Sequence, residues 1–382
     1  MESSSELSAF YQTLKPVFLF TKCLGIFPFK FPNNVREVLI SERKEIFLPT
    51  IWFFFSLAAA CYLLTAYICD ETMEKPLKVV YILYFCFLSV TSLNSFIAIW
   101  IHKTNVKDIF RNLIEVDQLL DKNTALVLYK HSRLFFVKSV AFVLLFLSIA
   151  SACSFYYHYS ILDDTMSAIC EITMNVINVM LIFQYVIFVQ AIQVRYCGLW
   201  KKLKSLCKEN KVAVSPQMYL DNISDTTRIC VLRQQHFRLS NVVSLLNQVY
   251  GFAMLLEIIT ALSNCIGSLY EGIYIINQEG DSIMCACVIL AGASLFLPLL
   301  WMVMWCHLVV QENGKQMTAI QELLICRSVN YSTQEELKEL FLQIKFMEPN
   351  FSAGGFFTLN LQFICSCFSS MFTYIVIMSQ MK

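Results

Sequence analysis

The sequence predicts an all-α membrane protein of seven transmembrane helices, and three observations carry that expectation. Hydrophobic runs recur over 46–69, 79–101, 134–157, 166–194, 242–269, 282–310 and 354–379. Each is long enough to cross a hydrocarbon core of about 30 Å, which takes about 20 helical residues. Basic residues are divided unevenly between the connecting segments. Segments 1–45, 102–133, 195–241 and 311–353 hold 25 Lys and Arg, whereas 70–78, 158–165, 270–281 and the C-terminus hold 3. Lys and Arg are retained on the cytoplasmic side, so the N-terminus is expected inside and the C-terminus outside. Finally, 57% of the residues are hydrophobic, against about 45–50% apolar residues in soluble domains.

Residues 1–45 carry scattered charges, and their longest apolar run, Val17–Phe20, is too short for the hydrophobic region of a cleaved signal. The first span is therefore expected to act as the insertion signal. The extracellular connections are short and the cytoplasmic ones long. The long ones are patterned as helices. Leu199, Leu203 and Leu206 lie among Lys201, Lys202 and Lys204, and Ile229, Leu232, Phe237 and Leu239 lie among Arg228, Arg233 and Arg238. These amphipathic patterns continue the fourth and fifth spans into the cytosol. Ser332 and Glu335 form a capping box for a helix reaching Met347. Pro349 disfavours helix at Glu348, and Gly354-Gly355 is expected to open the last span. The whole chain, 1–382, reads as one domain, with 195–241 and 311–353 as cytosolic extensions that could pack together or on other copies.

Several function classes are excluded at this point. A net charge of +1 offers nothing to nucleic acid. The 16 cysteines avoid the short outer loops, and Cys285-x-Cys287 and Cys365-x-Cys367 point to different helix faces, so no metal clip is expected. Cys69 and Cys265, near the outer ends of their spans, are the one pair placed to bridge. No soluble-enzyme motif and no cofactor signature is present. A G-protein-coupled receptor needs the opposite orientation, and neither Asp-Arg-Tyr after the third span nor Asn-Pro-x-x-Tyr in the seventh occurs. An intramembrane zinc hydrolase needs several histidines where only His158 and His307 lie near the membrane. A transporter commonly shows paired repeats, and none is visible.

Ser366, Ser369, Ser370, Thr373, Ile377 and Gln380 recur every three or four residues on one face of the last helix. Such a stripe is either a helix-packing face or a wall facing water, where Gln380 would meet a passing cation with Ile377 and Met381 as apolar neighbours. The run Thr373-Tyr-Ile-Val-Ile-Met-Ser-Gln380-Met381 resembles the TYhhhhhQF signature closing insect gustatory receptors, with Met381 in place of Phe. Phe351-Ser-Ala-Gly-Gly-Phe-Phe-Thr-Leu-Asn360 is similar to the run before their last helix, and Leu14–Pro28 to their entry segment. The inverted topology and long inner loops agree with that family, which is related to insect odorant receptors.

The resemblance implies a tetrameric ligand-gated cation channel in the plasma membrane, opened by a small organic tastant. It also implies a cytosolic anchor built by helices 4 to 7 and a pore lined by the outer part of 354–382. Carried over by position, Thr373, Ile377, Gln380 and Met381 are the pore residues, with the Phe-to-Met change at 381 altering the gate. The pocket would lie in the outer membrane half among helices 2 to 6. Tyr84, Tyr156, Tyr157, Asn175, Glu257 and Asn264 are the candidate ligand residues there: aromatic walls with a few polar groups suit an organic ligand. Interfacial tyrosines also serve as plain membrane anchors. Glu257, a mid-span carboxylic acid, is a functional candidate by position, or else a structural hydrogen-bonding group. Glu171 lies nearer the outer interface, where solvation explains it. An odorant receptor subunit working beside a co-receptor is the nearest alternative. The assembly is expected to be a homo- or heterotetramer in contact with lipid.

Overall fold

The computed structural model describes residues 18–19, 21–29, 47–69, 75–119, 122–161, 164–212, 218–277, 282–325 and 331–380. Helical residues at 18–19 and 21–23 are followed by α1 (Phe47–Cys69), α2 (Lys75–Ile101), α3 (Lys103–Gln118), α4 (Lys122–Ile161), α5 (Thr165–Val212), α6 (Met218–Asn277), α7 (Ser282–Ile325), α8 (Tyr331–Phe346), the hairpin β1 (Ser352–Ala353) and β2 (Phe357–Thr358), and α9 (Leu361–Gln380). Among the described residues, six helices are long and apolar enough to cross a membrane: α1, α2, α4, α5, α6 and α7. The apolar helix α9 stands where the sequence places a seventh span.

Membrane helices reverse the soluble pattern, being apolar on both their packed and unpacked faces. In α1 the packed face is Ser56, Ala59, Ala60, Leu63 and Tyr67, spaced three or four apart, while Ile51, Phe54, Phe55 and Leu57 point outward. Small residues on the packed face let α1 approach α2 and α5.

Helix continues through 195–212 and 218–241. α5, α6 and α7 run unbroken for 48, 60 and 44 residues. At 1.5 Å per residue α6 is about 90 Å long, about three hydrocarbon thicknesses. Burial spread around α6 lets it serve as the central post against which α2, α3, α5, α7, α8 and α9 pack.

Segment 102–133, read as a loop, is not one. It contains α3, amphipathic in its own right, with Val106, Ile109, Phe110, Leu113 and Ile114 buried and Arg111 outward. Asp117 of α3 meets the Arg195 guanidinium of α5, with Arg195 Nε donating to Oδ1 at 2.8 Å. Phe18, Phe27 and Phe29 tuck under this end, Phe18 lying 4.4 Å from Phe27 and 5.5 Å from Phe110 between ring centroids.

Two further boundaries differ from expectation. Ser332 lies inside α8, which already begins at Tyr331. Gly354 and Gly355 do not open the last helix. They form the hairpin turn with φ of +59° and +80°, a region glycine enters without steric cost. The last helix starts only at Leu361, where Asn360 caps it by accepting the Phe363 N–H at 2.8 Å. Asn247 of α6 clamps the hairpin, donating to the Asn350 carbonyl at 2.7 Å and accepting the Ser352 N–H at 3.1 Å.

Candidate functional site

The polar residues of α2, α4 and α5 gather near the end of the bundle bearing the short connections. Glu171 of α5 is their centre. Tyr84 of α2, almost fully buried, places its hydroxyl 3.1 Å from Glu171 Oε1 and 3.2 Å from Asn175 Oδ1. His158 of α4 sets Nε2 2.6 Å from Glu171 Oε2, and Ser154 Oγ lies 3.5 Å from the same oxygen. One carboxyl group thus ties three helices.

Beside this cluster is a cleft lined by Leu147, Ala150, Ser151 and Ser154 of α4, Glu171, Ile172, Asn175, Val176 and Val179 of α5, and Ala291 and Ser294 of α7. It has a volume of about 20 Å³, the room of a water molecule. Its walls are apolar with a few convergent polar groups, and its volume is far below the about 300–1,000 Å³ of a small-molecule pocket.

The candidate residues divide clearly. Tyr84 and Asn175 belong to the cluster, and Asn175 lines the cleft. Tyr156 points outward, 41% exposed. The Tyr157 side chain lies outside the described residues, as does Met381. Asn264 turns to α7, its amide 3.4 Å from the Ala291 carbonyl, a helix-to-helix tie. Glu257 is fully buried on α6 and does not line the cleft. The pairing of Glu171 with His158 is not legible in the sequence, where solvation accounts for Glu171, because the α4–α5 packing that brings them together is not visible in either run. A separate tie joins Tyr81 of α2 to Glu271 of α6. At the start of α5, Asp164 accepts the Met166 and Ser167 N–H groups at 3.0 and 3.2 Å. Burial raises the Asp164 carboxyl, but hydrogen bonds from Ser167, Tyr62 and the Met166 amide outweigh it and hold the group below its ordinary range. The Cys69 and Cys265 thiols are free.

On α9 the packed face is Ile364, Cys367 and Met371, and Phe368 also meets Phe296 of α7 at 5.2 Å. Ser366, Ser369, Ser370, Thr373, Ile377 and Gln380 remain exposed within the chain. Ser366, Ser370 and Thr373 turn their hydroxyls back onto the carbonyls of Gln362, Ser366 and Ser369. The stripe is therefore not the face that packs on the rest of this chain.

Fold and site together define a multi-pass helical membrane protein with a narrow, water-sized cleft inside its bundle. Residues 14–382 match the 7tm Chemosensory receptor family, and the chain belongs to it. This is a family of receptors, not of enzymes. The fold is that of the insect olfactory receptor OR5 from Machilis hrabei, at a TM-score of 0.65 and 12% identity, covering 99% of this chain and 100% of that one. The same receptor in complex with eugenol superposes at a TM-score of 0.70 and 13% identity, over 97% and 98% of the two chains. No curated protein matches in sequence.

Proposed function

We propose that this protein is a gustatory receptor of the plasma membrane, a ligand-gated non-selective cation channel opened by a small organic tastant. The observation that carries the reading is α9. In a chain of this family it ends on Tyr374 and Gln380, packs on one face, and leaves the Thr373–Ile377–Gln380 face unpacked. Copies of that face around an axis would make a wall, with Gln380 replacing part of a cation's hydration and Ile377 and Met381 closing by dewetting. The uneven distribution of basic residues supports a cytoplasmic N-terminus and seven crossings, with α9 the seventh and its end outside. In this orientation the extended ends of α5, α6 and α7, with α8, form a cytosolic anchor. That anchor exposes Phe237, Ile325, Tyr331, Leu342 and Phe346. Related copies in a homo- or heterotetramer would cover these apolar side chains.

The cleft at Glu171 and Asn175 is the proposed ligand site, and the eugenol complex of the Machilis receptor supports a small organic ligand. Because the cleft holds only a water-sized volume, a ligand must part α4 and α7. That movement passes along α6 and α7 to α9, which packs on both.

The test is expression of the full chain with recording of ligand-evoked currents. Gln380→Ala is expected to change relative cation permeability while assembly stays intact. Unaltered permeation in a functioning channel would remove Gln380 from the pore. The likeness to olfactory receptors favours a second reading, an odorant receptor subunit. Currents from the chain expressed alone support the gustatory reading, and currents only beside a co-receptor support the odorant one.

A further inference from the structure

The cleft is built from one stripe on each of three helices. Leu147, Ser151 and Ser154 follow one another at helical spacing on α4, Glu171, Asn175 and Val179 on α5, and Ala291 and Ser294 on α7. Its polar groups divide into those already engaged and those left over. The Glu171 carboxyl holds the Tyr84 hydroxyl on one oxygen and His158 on the other. The Ser151 and Ser294 hydroxyls make no hydrogen bond among the described residues. Ser148, on the same α4, instead turns its hydroxyl onto the Leu144 carbonyl at 2.8 Å, the usual recourse of a serine inside an apolar helix. Ser294 is only 6% exposed, so burial also denies it bulk water. Two unbonded hydroxyls therefore line one cleft from α4 and α7, the two helices that a ligand must part.

These leftover groups specify the chemistry of an occupant. A hydroxyl without a partner in apolar surroundings gains a hydrogen bond from a group that both donates and accepts. The cleft volume of about 20 Å³ is the room of one water molecule, and hence of one hydroxyl group. Leu147, Ile172, Val176 and Val179 offer apolar contact to whatever carries that group. Charge is not called for. Glu171 is the ionisable residue of the lining, and both of its oxygens are engaged, with His158 buried against one of them. An ammonium group would lose its hydration there without a free carboxyl oxygen to replace it. We propose that Ser151 and Ser294 form a hydroxyl-recognition subsite, and that the ligands are small uncharged alcohols whose O–H enters between α4 and α7, donating to one serine and accepting from the other. The proposal rests on the reading of the cleft as the ligand site.

Thermal unfolding of the full chain in lipid nanodiscs, followed as each probe is titrated, gives the dissociation constants that test this. The probes are hexanol, cyclohexanol and benzyl alcohol, each beside the methyl ether and the amine of the same skeleton. At least one alcohol is expected to bind about five- to tenfold tighter than its ether and its amine. Ser294→Ala should reduce that preference, and Ser151→Ala added to it should abolish it, while ether binding stays the same. Effects of the probes on the lipid are equal in all variants and cancel in the comparison. Neither substitution removes a hydrogen bond from the fold; should the pair fail to fold, Ser294→Ala alone must still lower the preference. Equal binding of alcohols and ethers, tighter binding of the amines, or an alcohol preference unchanged in a folded variant overturns the proposal and leaves the cleft as the ligand site. If no probe raises the unfolding midpoint, the subsite and the reading of the cleft fall together.

Discussion

Single side chains show where burial changes chemistry. Tyr84 reaches Glu171 and Asn175 through one hydroxyl, so Tyr84→Phe leaves both acceptors short of a donor. Loss of such a buried bond costs about 1–3 kcal/mol, and the mutant is expected to melt lower and to respond to ligand with a raised half-maximal concentration. Thermal unfolding together with a dose–response curve checks this; an unchanged dose–response would remove Tyr84 from the ligand site. His236 of α6 lies in the proposed cytosolic extension, its Nε2 3.0 Å from Asn313 Oδ1 and its Nδ1 3.2 Å from Gln343 Nε2. Burial pushes the imidazole down from 6.5 to about 4, against a smaller opposing effect of the Asn313 bond. The unfolded chain therefore binds the proton more readily than the folded one. Stability from this group is complete above about pH 6.5 and falls progressively as the pH drops towards 4. The melting temperature of the purified protein should decline across that window. His236→Gln, which keeps a hydrogen-bonding side chain without a proton to gain there, should flatten the decline. An equal slope in the variant would assign the acid sensitivity to other groups.

At the scale of elements, polar side chains at helix ends and turns decide geometry that apolar periodicity leaves open. Asp164 caps α5 through two backbone amides. Asp164→Ala should cost about 1 kcal/mol, measured as a lower denaturation midpoint; no change would mean that water replaces the cap without loss. The hairpin before α9 depends on close approach. A Cβ on Gly251 would lie 3.1 Å from the Gly354 nitrogen and 3.3 Å from the Ser352 carbonyl oxygen, so hairpin backbone would have to shift to admit it. Gly251→Val should displace the hairpin and with it the start of α9, so surface expression is expected to survive better than ligand-evoked current. Wild-type current in this variant would show that the hairpin does not position α9. Legibility follows the same division. The helical continuation of 199–206 and 229–239 was readable because apolar residues recur at helical spacing. Gly354 and Gly355 were misplaced because a two-residue hairpin has no periodicity, and its clamp, Asn247, lies more than a hundred residues earlier.

For the whole molecule, the expected assembly rests on the apolar surface of the extensions. Phe346 is 78% and Phe237 52% exposed. Replacing both by Asp should shift the detergent-solubilised protein from a tetramer to smaller species on native mass measurement, and a retained tetramer would place the contact elsewhere. Orientation has its own test: a C-terminal epitope should be reachable by antibody in intact cells, and a hidden epitope would invert the whole reading. The sequence by itself determined the membrane class, six of the seven spans expected from it and the family, because hydrophobic length, composition and a C-terminal motif are local properties that survive without contacts. Only the tertiary structure decided which polar residues act together. Glu171 gains Tyr84, Ser154 and His158, Asn264 turns away to α7, and Glu257 settles outside the cleft. The physical reason is that each helix carries polar groups at several angles around its axis. Which angle faces a neighbour is set by helix rotation and register, and those depend on all the packed helices at once.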